Sequence, residues 1–387
     1  MSKVSLHMLN QKILCIVPFS PPVTGMSIAS ETIVKHLEER HQVTVIQYQK
    51  GNLNSGNFSL GQFVKVVAIG FRLRFIKKDF DSVYLVLSSS FWGNIRDLGF
   101  LFMMGKNLRR RTVLHLHGVN FKAYLISFRG WLKSLNRHFL KDVKNAIVLG
   151  ESFKNIFNGY ISDKKIRIVK NFFDPSLLIQ EEHLIEKFSS SGKVKILFLS
   201  NLIREKGFES LLDLFLSLPR EVKSKAELHF AGEMKSLDEK AIFLKKIHCR
   251  DNIVYHGPVK GREKLDLFQL SHIFCLPTVY HFEGQPISII EAYAAGCVVL
   301  TTRNGGIQDI FEDEKNGYYI NKPFNGAVLE IDIETFGLKL TLLIEAISNF
   351  KNIAYFNRLE AIQKYSQNLY CENMENIIVK SIEIPVP

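Results

Sequence analysis

The sequence predicts an α/β protein made of two doubly wound halves, each built on a parallel sheet. Short β-type apolar runs alternate with helical patterns from one end of the chain to the other, which is typical of βαβ units. Six such runs fall in the first half and six in the second. The length of 387 residues exceeds the usual size of one hydrophobic core, so two domains are expected.

Each half supplies its own set of predicted strands. In the first half they are Lys12–Pro18, Gln42–Tyr48, Ser82–Leu87, Thr112–His117, Ala146–Leu149 and Arg167–Val169. In the second half they are Lys195–Ser200, Ala226–Ala231, Asn252–Tyr255, Ile273–Pro277, Val298–Thr301 and Gly317–Ile320. Parallel sheets bind ligands beyond the carboxyl ends of their strands, so two such sheets facing each other would hold a substrate in the cleft between them.

The domain boundary is expected near Asn171–Ser176, a stretch that follows the last strand of the first half. Residues 1–172 are therefore assigned to the first domain and residues 173–365 to the second. The tail from Ala354 onward is predicted to form two more helices that add no strand. The helix at about 366–387 is expected to pack back on the first domain.

Composition describes an ordinary globular protein, with 46% hydrophobic and 23% charged residues. The five cysteines are scattered without zinc spacing and suit buried thiols in a reducing compartment. No cleavable signal and no run near the ~20 apolar residues of a membrane span is found. These features predict a cytoplasmic protein that does not cross the membrane.

Charge is distributed unevenly along the chain. Residues 1–170 hold 26 Lys and Arg against 9 Asp and Glu, a net +17, whereas the remainder holds 24 against 29, a net −5. A basic first half predicts an anionic partner for that half. No nucleic-acid-binding motif accompanies the charge, so nucleic acid is not expected.

The stretch Tyr280–Gly296, YHFEGQPISIIEAYAAG, places Glu283 and Glu291 within an element that otherwise reads as buried helix. It follows a predicted strand, and Pro286 suits the first helical position because its missing N–H costs nothing there. A helix N-terminus favours a phosphate or a polarised hydroxyl in front of it. Two carboxylates can accept hydrogen bonds from sugar hydroxyls. The alternative is a helix-capping glutamate and a surface glutamate.

The spacing of Glu283 and Glu291 around GQPISII, followed by AAG, resembles the signature of the retaining family-4 glycosyltransferases, which have the GT-B fold. Further motifs agree with the family in their order along the chain. They are PPVTGMSIASETIVKHL (21–37), HLHG (115–118), FLSNLIREKGFESLL (198–212), LHFAGE (228–233), YHGPV (255–259) and TTRNGGIQDIFEDEKNGYYI (301–320). The resemblance implies two Rossmann-like domains that face each other across a cleft.

The resemblance also implies roles for individual residues at the donor site. Glu283 matches the glutamate that contacts the donor sugar, and Glu291 the one that contacts the nucleotide ribose. Lys206 matches the lysine that offsets diphosphate charge, a role that needs no metal. The predicted donor-binding set is completed by Gly25, Asn201, Arg204, Val259, Gly284, Gln285, Pro286 and Ile287.

The resemblance also bears on the histidines of the first half and on the arginine expected in the lysine motif. His117, at the end of the strand TVLHLH, matches the active-site histidine of the family, so the predicted catalytic residues are His117, Glu283 and Lys206. His115 is interpreted as structural. The arginine that the family places five residues ahead of the lysine is Asn201 here, and Arg204 is either its substitute or an exposed loop residue.

Basic residues of the first half lie among aromatic ones in patterns of helical spacing. Over residues 121–139 the apolar positions alternate with Lys122, Arg129, Lys133 and Arg137, and further clusters are Lys65, Arg72, Arg74, Lys77 and Lys78, and Arg109, Arg110 and Arg111. Such a face can lie on an anionic bilayer. The alternative is a core-facing helix with a solvated back. The preferred localisation is peripheral, on the inner face of the cell membrane.

The sequence therefore predicts transfer of a sugar from a nucleotide diphosphate sugar to a hydroxyl acceptor with retention, in cell-surface polysaccharide or lipopolysaccharide assembly. The donor is a co-substrate, and neither cofactor nor metal is expected. Asp79 and Asp81 precede a strand, at the end away from the expected site, so a metal role is not assigned to them. The alternatives are a nucleotide-sugar epimerase of the same fold and a non-catalytic sugar- or membrane-binding protein.

Overall fold

The computed structural model describes residues 10–21, 24–48, 60–76, 79–118, 121, 125, 130–322 and 329–379, with the side chains of residues 60–65 outside that description. Twelve strands form two sheets within it. Every strand pair in both sheets is parallel, so both sheets need helices on both faces.

The first sheet has the strand order β2-β1-β3-β4-β5-β6. Its central strands are mostly apolar and fully buried, as is typical of parallel strands covered on both faces. The strands are β1 (Lys12–Val17), β2 (Gln42–Gln47), β3 (Ser82–Leu87), β4 (Thr112–Leu116), β5 (Asn145–Val148) and β6 (Ile166–Ile168).

The helices that accompany the first sheet are α1 (Gly25–Glu38), α2 (Leu60–Phe75), α3 (Phe91–Arg109) and α4 (Gly130–Leu140). Thr24 and Ser27 form a capping box at the start of α1, and Ser90 accepts from the Gly93 N–H at the start of α3. Both caps satisfy N–H groups that a helix leaves unpaired at its first turn.

The second sheet has the strand order β12-β11-β10-β7-β8-β9. Its strands are β7 (Val194–Leu199), β8 (Ala226–Ala231), β9 (Ile253–Tyr255), β10 (Ile273–Leu276), β11 (Val298–Thr301) and β12 (Gly317–Tyr319). The central pair β7 and β10 places the loops that follow these two strands side by side at the carboxyl edge. That adjacency brings the Lys206 motif to the Glu283 motif.

The helices of the second half surround this sheet and extend into the tail. They are α5 (Glu181–Ser189), α6 (Phe208–Ser217), α7 (Arg220–Ser224), α8 (Leu237–Ile247), α9 (Gly261–Leu270), α10 (Ile287–Ala294), α11 (Ile333–Glu345), α12 (Lys351–Lys364) and α13 (Gln367–Val379). A single hydrophobic cluster, built from both sheet faces and these helices, forms the core of this half.

The chain divides into two units, each with its own core. Unit 1 comprises Met1–Lys170 and Asn368–Pro387, and unit 2 comprises Asn171–Gln367. The sequence placed the boundary after residue 172 and the return near residue 366. Within unit 1, the α13 carbonyl of Ile378 accepts from Ser82 Oγ at 2.7 Å and from Lys144 Nζ at 3.0 Å. These contacts anchor α13 to the amino ends of β3 and β5.

The predicted pair of six-stranded parallel sheets is confirmed, and each predicted strand overlaps an observed one. The two tail helices are α12 and α13. No helix in the described part of the chain combines the length and hydropathy needed to span a bilayer.

One predicted surface cluster needs correction. Arg109 is buried, where it donates to Asp142 Oδ2 at 3.3 Å and to the Leu101 carbonyl at 3.2 Å. Arg110 and Arg111 are exposed. Arg109 is the last residue of α3, and its side chain turns inward onto the Phe139 ring rather than toward solvent. It therefore supports the packing of α3 and is not part of a basic surface.

The other predicted basic clusters lie within residues 65–78 and 121–139, where apolar residues recur at helical spacing. Arg72 and Arg74 are exposed on α2, whereas Lys77, Lys78, Lys122 and Arg129 lie outside the described residues and Lys65 outside the described side chains. On the same helix Phe71 and Phe75 are exposed, Phe75 to 80%. Trp131 and Leu135 of α4 are exposed as well, so the apolar pattern of residues 121–139 is not wholly directed at the core.

Candidate active site

The loop between β10 and α10 is held in one conformation by residues that follow β11. Asn304 Nδ2 donates to the carbonyls of Thr278 at 3.2 Å and Tyr280 at 2.9 Å. Gly305 has a φ of +52°, and a Cβ there would lie 2.0 Å from the Glu283 carbonyl oxygen. Only glycine allows this close approach, which fixes the backbone at Glu283.

Glu283 and Lys206 form an ion pair at the carboxyl edge of the second sheet. Lys206 Nζ donates to Glu283 Oε1 at 2.8 Å and to Oε2 at 2.5 Å. Thr278 Oγ1 also donates to Oε2, at 2.7 Å. Glu283 is 5% exposed, so the lysine compensates a carboxylate that has lost most of its water. The two residues, predicted from separate motifs, form one cluster.

Local backbone features bring Lys206 to this position. It ends a short 3-10 turn, Arg204–Lys206, after β7, and the next residue, Gly207, has a φ of +81°. A Cβ on Gly207 would lie 2.1 Å from the Pro277 carbonyl oxygen. The glycine therefore lets the loop after β7 touch the loop after β10, where Glu283 lies.

Glu291 has a lysine partner of its own. Lys264 Nζ of α9 donates to Glu291 Oε1 at 2.6 Å, and Glu291 is buried on α10. Burial raises the pKa of the Glu291 carboxyl above its usual value, and the charge of Asp174 raises this pKa further. The charge and hydrogen bond of Lys264 oppose the rise. The second carboxylate is thus buried and paired, and is not a surface glutamate.

The residues between the two glutamates differ in part from the prediction. Pro286 is the N-cap of α10, with a φ of −63° and a ψ of 117°, so the predicted first helical position is wrong by one residue. Gln285 Oε1 accepts from the Asn171 N–H at 2.6 Å, and Asn171 Nδ2 donates to the Gln285 carbonyl at 2.8 Å. Ile287 is half-buried. Gln285 therefore holds the start of unit 2 onto this loop.

The remaining predicted donor residues of unit 2 lie on loops after strands. Asn201 is exposed, and Arg204 is 65% exposed and pairs with Glu239 at 3.2 Å and Glu209 at 3.6 Å. The carbonyl of Gly284 accepts from the Gly306 N–H at 3.1 Å, and Val259 packs half-buried against the core. Arg204 thus points to α6 and α8, and does not join the Lys206 cluster.

In unit 1, His117 follows β4 directly and is half-buried. Its ring centroid lies 3.9 Å from that of His115, which is fully buried and has Nδ1 2.7 Å from the Tyr84 hydroxyl. Burial, with the nearby His117, lowers the pKa of His115 well below its usual value. His115 is neutral and packed under His117. Gly25 is the exposed first residue of α1.

The Asp79 and Asp81 pair lies at the amino edge of the first sheet. Lys12, the first residue of β1, donates through Nζ to Asp79 at 2.6 Å and through its backbone N–H to Asp81 at 2.9 Å. Among the described residues no group of three or more His, Cys, Asp and Glu side chains is arranged to hold a metal ion.

Sequence reasoning missed three residues that shape the candidate site. Thr278 and Asn304 build the loop around Glu283, and Lys264 pairs with Glu291. Asn304 lies within the motif TTRNGGIQDIFEDEKNGYYI (301–320), so it had a signal. Thr278 and Lys264 had none, because a threonine after a strand and a lysine on an amphipathic helix are ordinary in sequence.

Comparison with known proteins finds a family model that matches this site. Residues 180–336 match the model for glycosyl transferases group 1, and this segment holds Lys206, Lys264, Glu283 and Glu291. An uncharacterized glycosyltransferase of Methanocaldococcus jannaschii is 21% identical over 332 residues, covering 77% of this chain and 82% of the relative.

Solved structures agree with this chain over nearly its whole length. Anabaena HepE, in complex with UDP and glucose, has a TM-score of 0.67 at 15% identity and covers 94% of this chain and 98% of its own. WaaG, a glycosyltransferase involved in lipopolysaccharide biosynthesis, has a TM-score of 0.69 at 16% identity, covering 96% and 100%. At such identities the likeness shows the fold, two Rossmann-like domains of the GT-B type.

Proposed function

We propose that this protein is a group 1 glycosyltransferase that moves a hexosyl group from a nucleotide diphosphate sugar to a hydroxyl acceptor, with retention of anomeric configuration. The proposal is carried by one observation: Lys206 and Glu283 lie in contact at the carboxyl edge of the second sheet, within the segment that matches the family. A cation beside a carboxylate suits a donor that combines a diphosphate with a polyol. That HepE is a complex with UDP and glucose supports the donor class.

The chemistry assigns different tasks to the two charges. As the bond from the anomeric carbon to the leaving phosphate oxygen breaks, negative charge grows on the diphosphate, and Lys206 together with the N-terminus of α10 offsets it. Glu283 accepts hydrogen bonds from sugar hydroxyls, and Glu291 from the ribose. No metal ion is required for these tasks.

Retention is assigned to attack on the face from which the nucleotide leaves. The acceptor oxygen forms the new bond to the anomeric carbon while the phosphate departs, and the leaving phosphate oxygen takes the acceptor proton. Atoms and charge then balance without a protein nucleophile. His117 is proposed to contact the donor sugar, and its support is the resemblance of HLHG to the family motif.

The proposed setting is assembly of cell-surface polysaccharide or lipopolysaccharide. The description of WaaG as a lipopolysaccharide enzyme supports that setting. The net charge of +17 on residues 1–170, together with the exposed Phe71, Arg72, Arg74 and Phe75 on α2, supports a peripheral position on an anionic membrane at the cytoplasmic face, near a lipid-linked acceptor.

A thermal-shift screen against nucleotide sugars tests the donor class, because a ligand that binds only the folded state raises the melting temperature. The donor that shifts the transition is then incubated with candidate acceptors and with a Glu283→Gln control. An acceptor-dependent product lost in the control supports transfer. Conversion of the donor without an acceptor identifies an epimerase, and donor binding without turnover identifies a sugar-binding protein.

A further inference from the structure

The second lysine–glutamate pair involves a residue to which the sequence assigned nothing. Lys264 lies on α9, and its Nζ is 2.6 Å from Glu291 Oε1 on α10. Both side chains are largely removed from solvent, and Glu291 is the more buried of the two. Among the described residues the Glu291 side chain accepts a hydrogen bond only from Lys264 Nζ, through Oε1, so Oε2 can accept from a ligand hydroxyl.

Burial makes the lysine necessary if Glu291 is to act as a carboxylate. A buried carboxyl without a cation prefers its protonated form, because the charged form loses its hydration. The charged groups that face Glu291 are Lys264 from α9 and Asp174, which precedes the turn Pro175–Leu177. Asp174 disfavours the ionised form, so Lys264 opposes both burial and a like charge.

We propose that Lys264 is the positioning residue of the nucleotide site: it holds Glu291 ionised, with one oxygen fixed on its ammonium and the other available to the vicinal hydroxyls of the ribose. This inference rests on the proposed function, which assigns Glu291 to the ribose. Lys264 acts through Glu291 and does not itself touch the ligand.

The consequence is selectivity for ribose that does not change with pH. A carboxylate accepts from both hydroxyls of a ribose through charge-assisted hydrogen bonds, which a 2′,3′-dideoxyribose cannot make. On this proposal the charge of Lys264 favours the ionised form of Glu291 through the neutral range. Without it, Glu291 takes up a proton as the pH falls, and the selectivity falls with it.

Calorimetric titration of the full chain with UDP, GDP and ADP tests the inference, followed by the 2′,3′-dideoxy analogue of the tightest binder. In the wild type the ribonucleotide is expected to bind roughly tenfold more tightly than its analogue, about 1.4 kcal/mol, from pH 6 to 9. Lys264→Met is expected to lose this ratio at pH 6 to 7 and to regain part of it toward pH 9, as Glu291 ionises.

The matched control is Arg262→Met on the same helix, whose guanidinium is exposed and pairs with Asp266. It should retain the ratio and its flat pH profile. Lys264→Met with wild-type affinity, ratio and profile overturns the inference, as does a wild type that binds a nucleoside diphosphate without distinguishing its analogue. A wild type that binds no nucleoside diphosphate overturns the proposed function as well.

A second comparison does not depend on the folding of Lys264→Met. The double variant Lys264→Met/Glu291→Gln carries no buried unpaired charge, so it avoids the main cost of the single lysine change. If Lys264 acts through Glu291, the double variant and Glu291→Gln bind the nucleotide equally well. A further tenfold loss in the double variant shows that Lys264 contacts the ligand directly, and overturns the positioning role.

Discussion

The carboxyl edges of the two sheets carry different side chains although the sheets share one architecture. Unit 2 has two largely buried ion pairs. Lys206 and Glu283 pair at the edge itself, and Lys264 of α9 pairs with Glu291 of α10. In the described part of unit 1 the corresponding edge holds His117, whose ring centroid lies 3.9 Å from that of the neutral His115. It also holds the buried pair Arg96–Asp97, in which Asp97 accepts from the Ser88 N–H directly after β3. The excess of basic residues belongs to the first half, so the net charge of a domain does not locate its charged site.

The difference teaches that the same βαβ framework serves separate chemical tasks through its loops. Unit 2 presents the lysine–glutamate pairs, whereas unit 1 presents His117, which packs on the buried His115, and His115 Nδ1 lies 2.7 Å from the Tyr84 hydroxyl. The positive charge of unit 1 lies instead at places such as Arg72 and Arg74 on the exposed part of α2. The lysine–glutamate pairs of unit 2 therefore lie at its candidate site, whereas these exposed cations of unit 1 lie on a helix surface.

The largest expected effect is that of Lys206→Ala on the charged edge. Removing the cation should slow transfer about 10²–10³-fold, because the charge on the departing diphosphate is no longer offset. It also leaves Glu283 buried without its cation, which should lower the free energy of unfolding by about 3–5 kcal/mol. Steady-state kinetics and urea unfolding measure the two effects separately.

Lys225→Met is the control for that change, because Lys225 is exposed and its distance to Glu345 is 4.0 Å. Arg204→Met distinguishes the two interpretations of Arg204. Its pairing with Glu239 and Glu209 predicts a small effect on transfer, whereas a substitute for the family arginine would give a loss near that of Lys206→Ala. Unchanged kinetics in Lys206→Ala would mean that the diphosphate binds elsewhere.

A second prediction concerns the pH dependence of stability that the buried His272 of unit 2 causes, as a counterpart to the buried His115 of unit 1. Its Nδ1 accepts from the Lys195 N–H at 3.1 Å and its Nε2 lies 2.9 Å from the Lys187 carbonyl, so the neutral ring links β7 to α5. Burial, with the charge of Lys187, lowers the pKa of His272 from 6.5 to about 4.

Because the unfolded state takes up this proton below pH 6.5 and the folded state only near pH 4, stability should fall as the pH drops through that window. The loss reaches about 3 kcal/mol from this group alone. His272→Gln should flatten the slope in urea unfolding at stepped pH, while His183→Gln, at an exposed histidine of α5, should leave it unchanged. An unaltered slope in His272→Gln would assign the pH dependence to other groups, His115 among them.

Sequence reasoning located the strands because each is a short apolar run that parallel sheets bury on both faces. It also placed Lys206 and Glu283 on loops after strands, and the carboxyl ends of those strands meet in the sheet. Arg109 shows a limit of sequence reasoning. Three consecutive arginines look alike in sequence, yet Arg109, the last residue of α3, turns its side chain inward to Asp142. Side-chain direction at a helix end depends on the packing of the next helix, which the sequence pattern does not contain.

The pairing of Lys264 with Glu291 was missed for a related reason. A carboxylate and a lysine 27 positions apart, as Glu291 and Lys264 are, come together only through the packing of α9 against the sheet that carries α10. Gln285 illustrates the reverse case, since its motif position favours a ligand contact and its side chain holds Asn171. The motif predicted which loop forms the site, and the tertiary contacts decide which of its side chains remain available.

A smaller effect is expected from the surface charge of unit 1. Arg72→Gln with Arg74→Gln removes two exposed cations beside Phe71 and Phe75, and each cation near an anionic bilayer contributes roughly 1 kcal/mol. Sedimentation with phosphatidylserine-containing vesicles at low salt should therefore weaken roughly tenfold or more, while nucleotide affinity is retained.

The matched control for the vesicle assay is Lys235→Gln with Lys245→Gln, two exposed lysines of unit 2. Equal weakening of vesicle binding in both double variants would mean that binding depends on the total charge of the protein and not on the exposed face of α2. If the wild type ignores anionic vesicles at low salt, the peripheral membrane position is wrong and the basic residues of unit 1 serve a soluble partner. Release as salt rises is expected, because screening shortens the reach of exposed charges.

The smallest effect is expected from removal of divalent cations. Transfer should persist in EDTA at its rate without chelator, because Lys206 supplies the cation at the diphosphate and α10 directs its N-terminus at the same loop. The acidic pair Asp79 and Asp81 is engaged with Lys12 at the opposite edge of its own sheet from His117. Loss of transfer in EDTA, restored by magnesium or manganese but not by excess calcium, would show that the charge of unit 2 is insufficient alone and that a metal ion completes it.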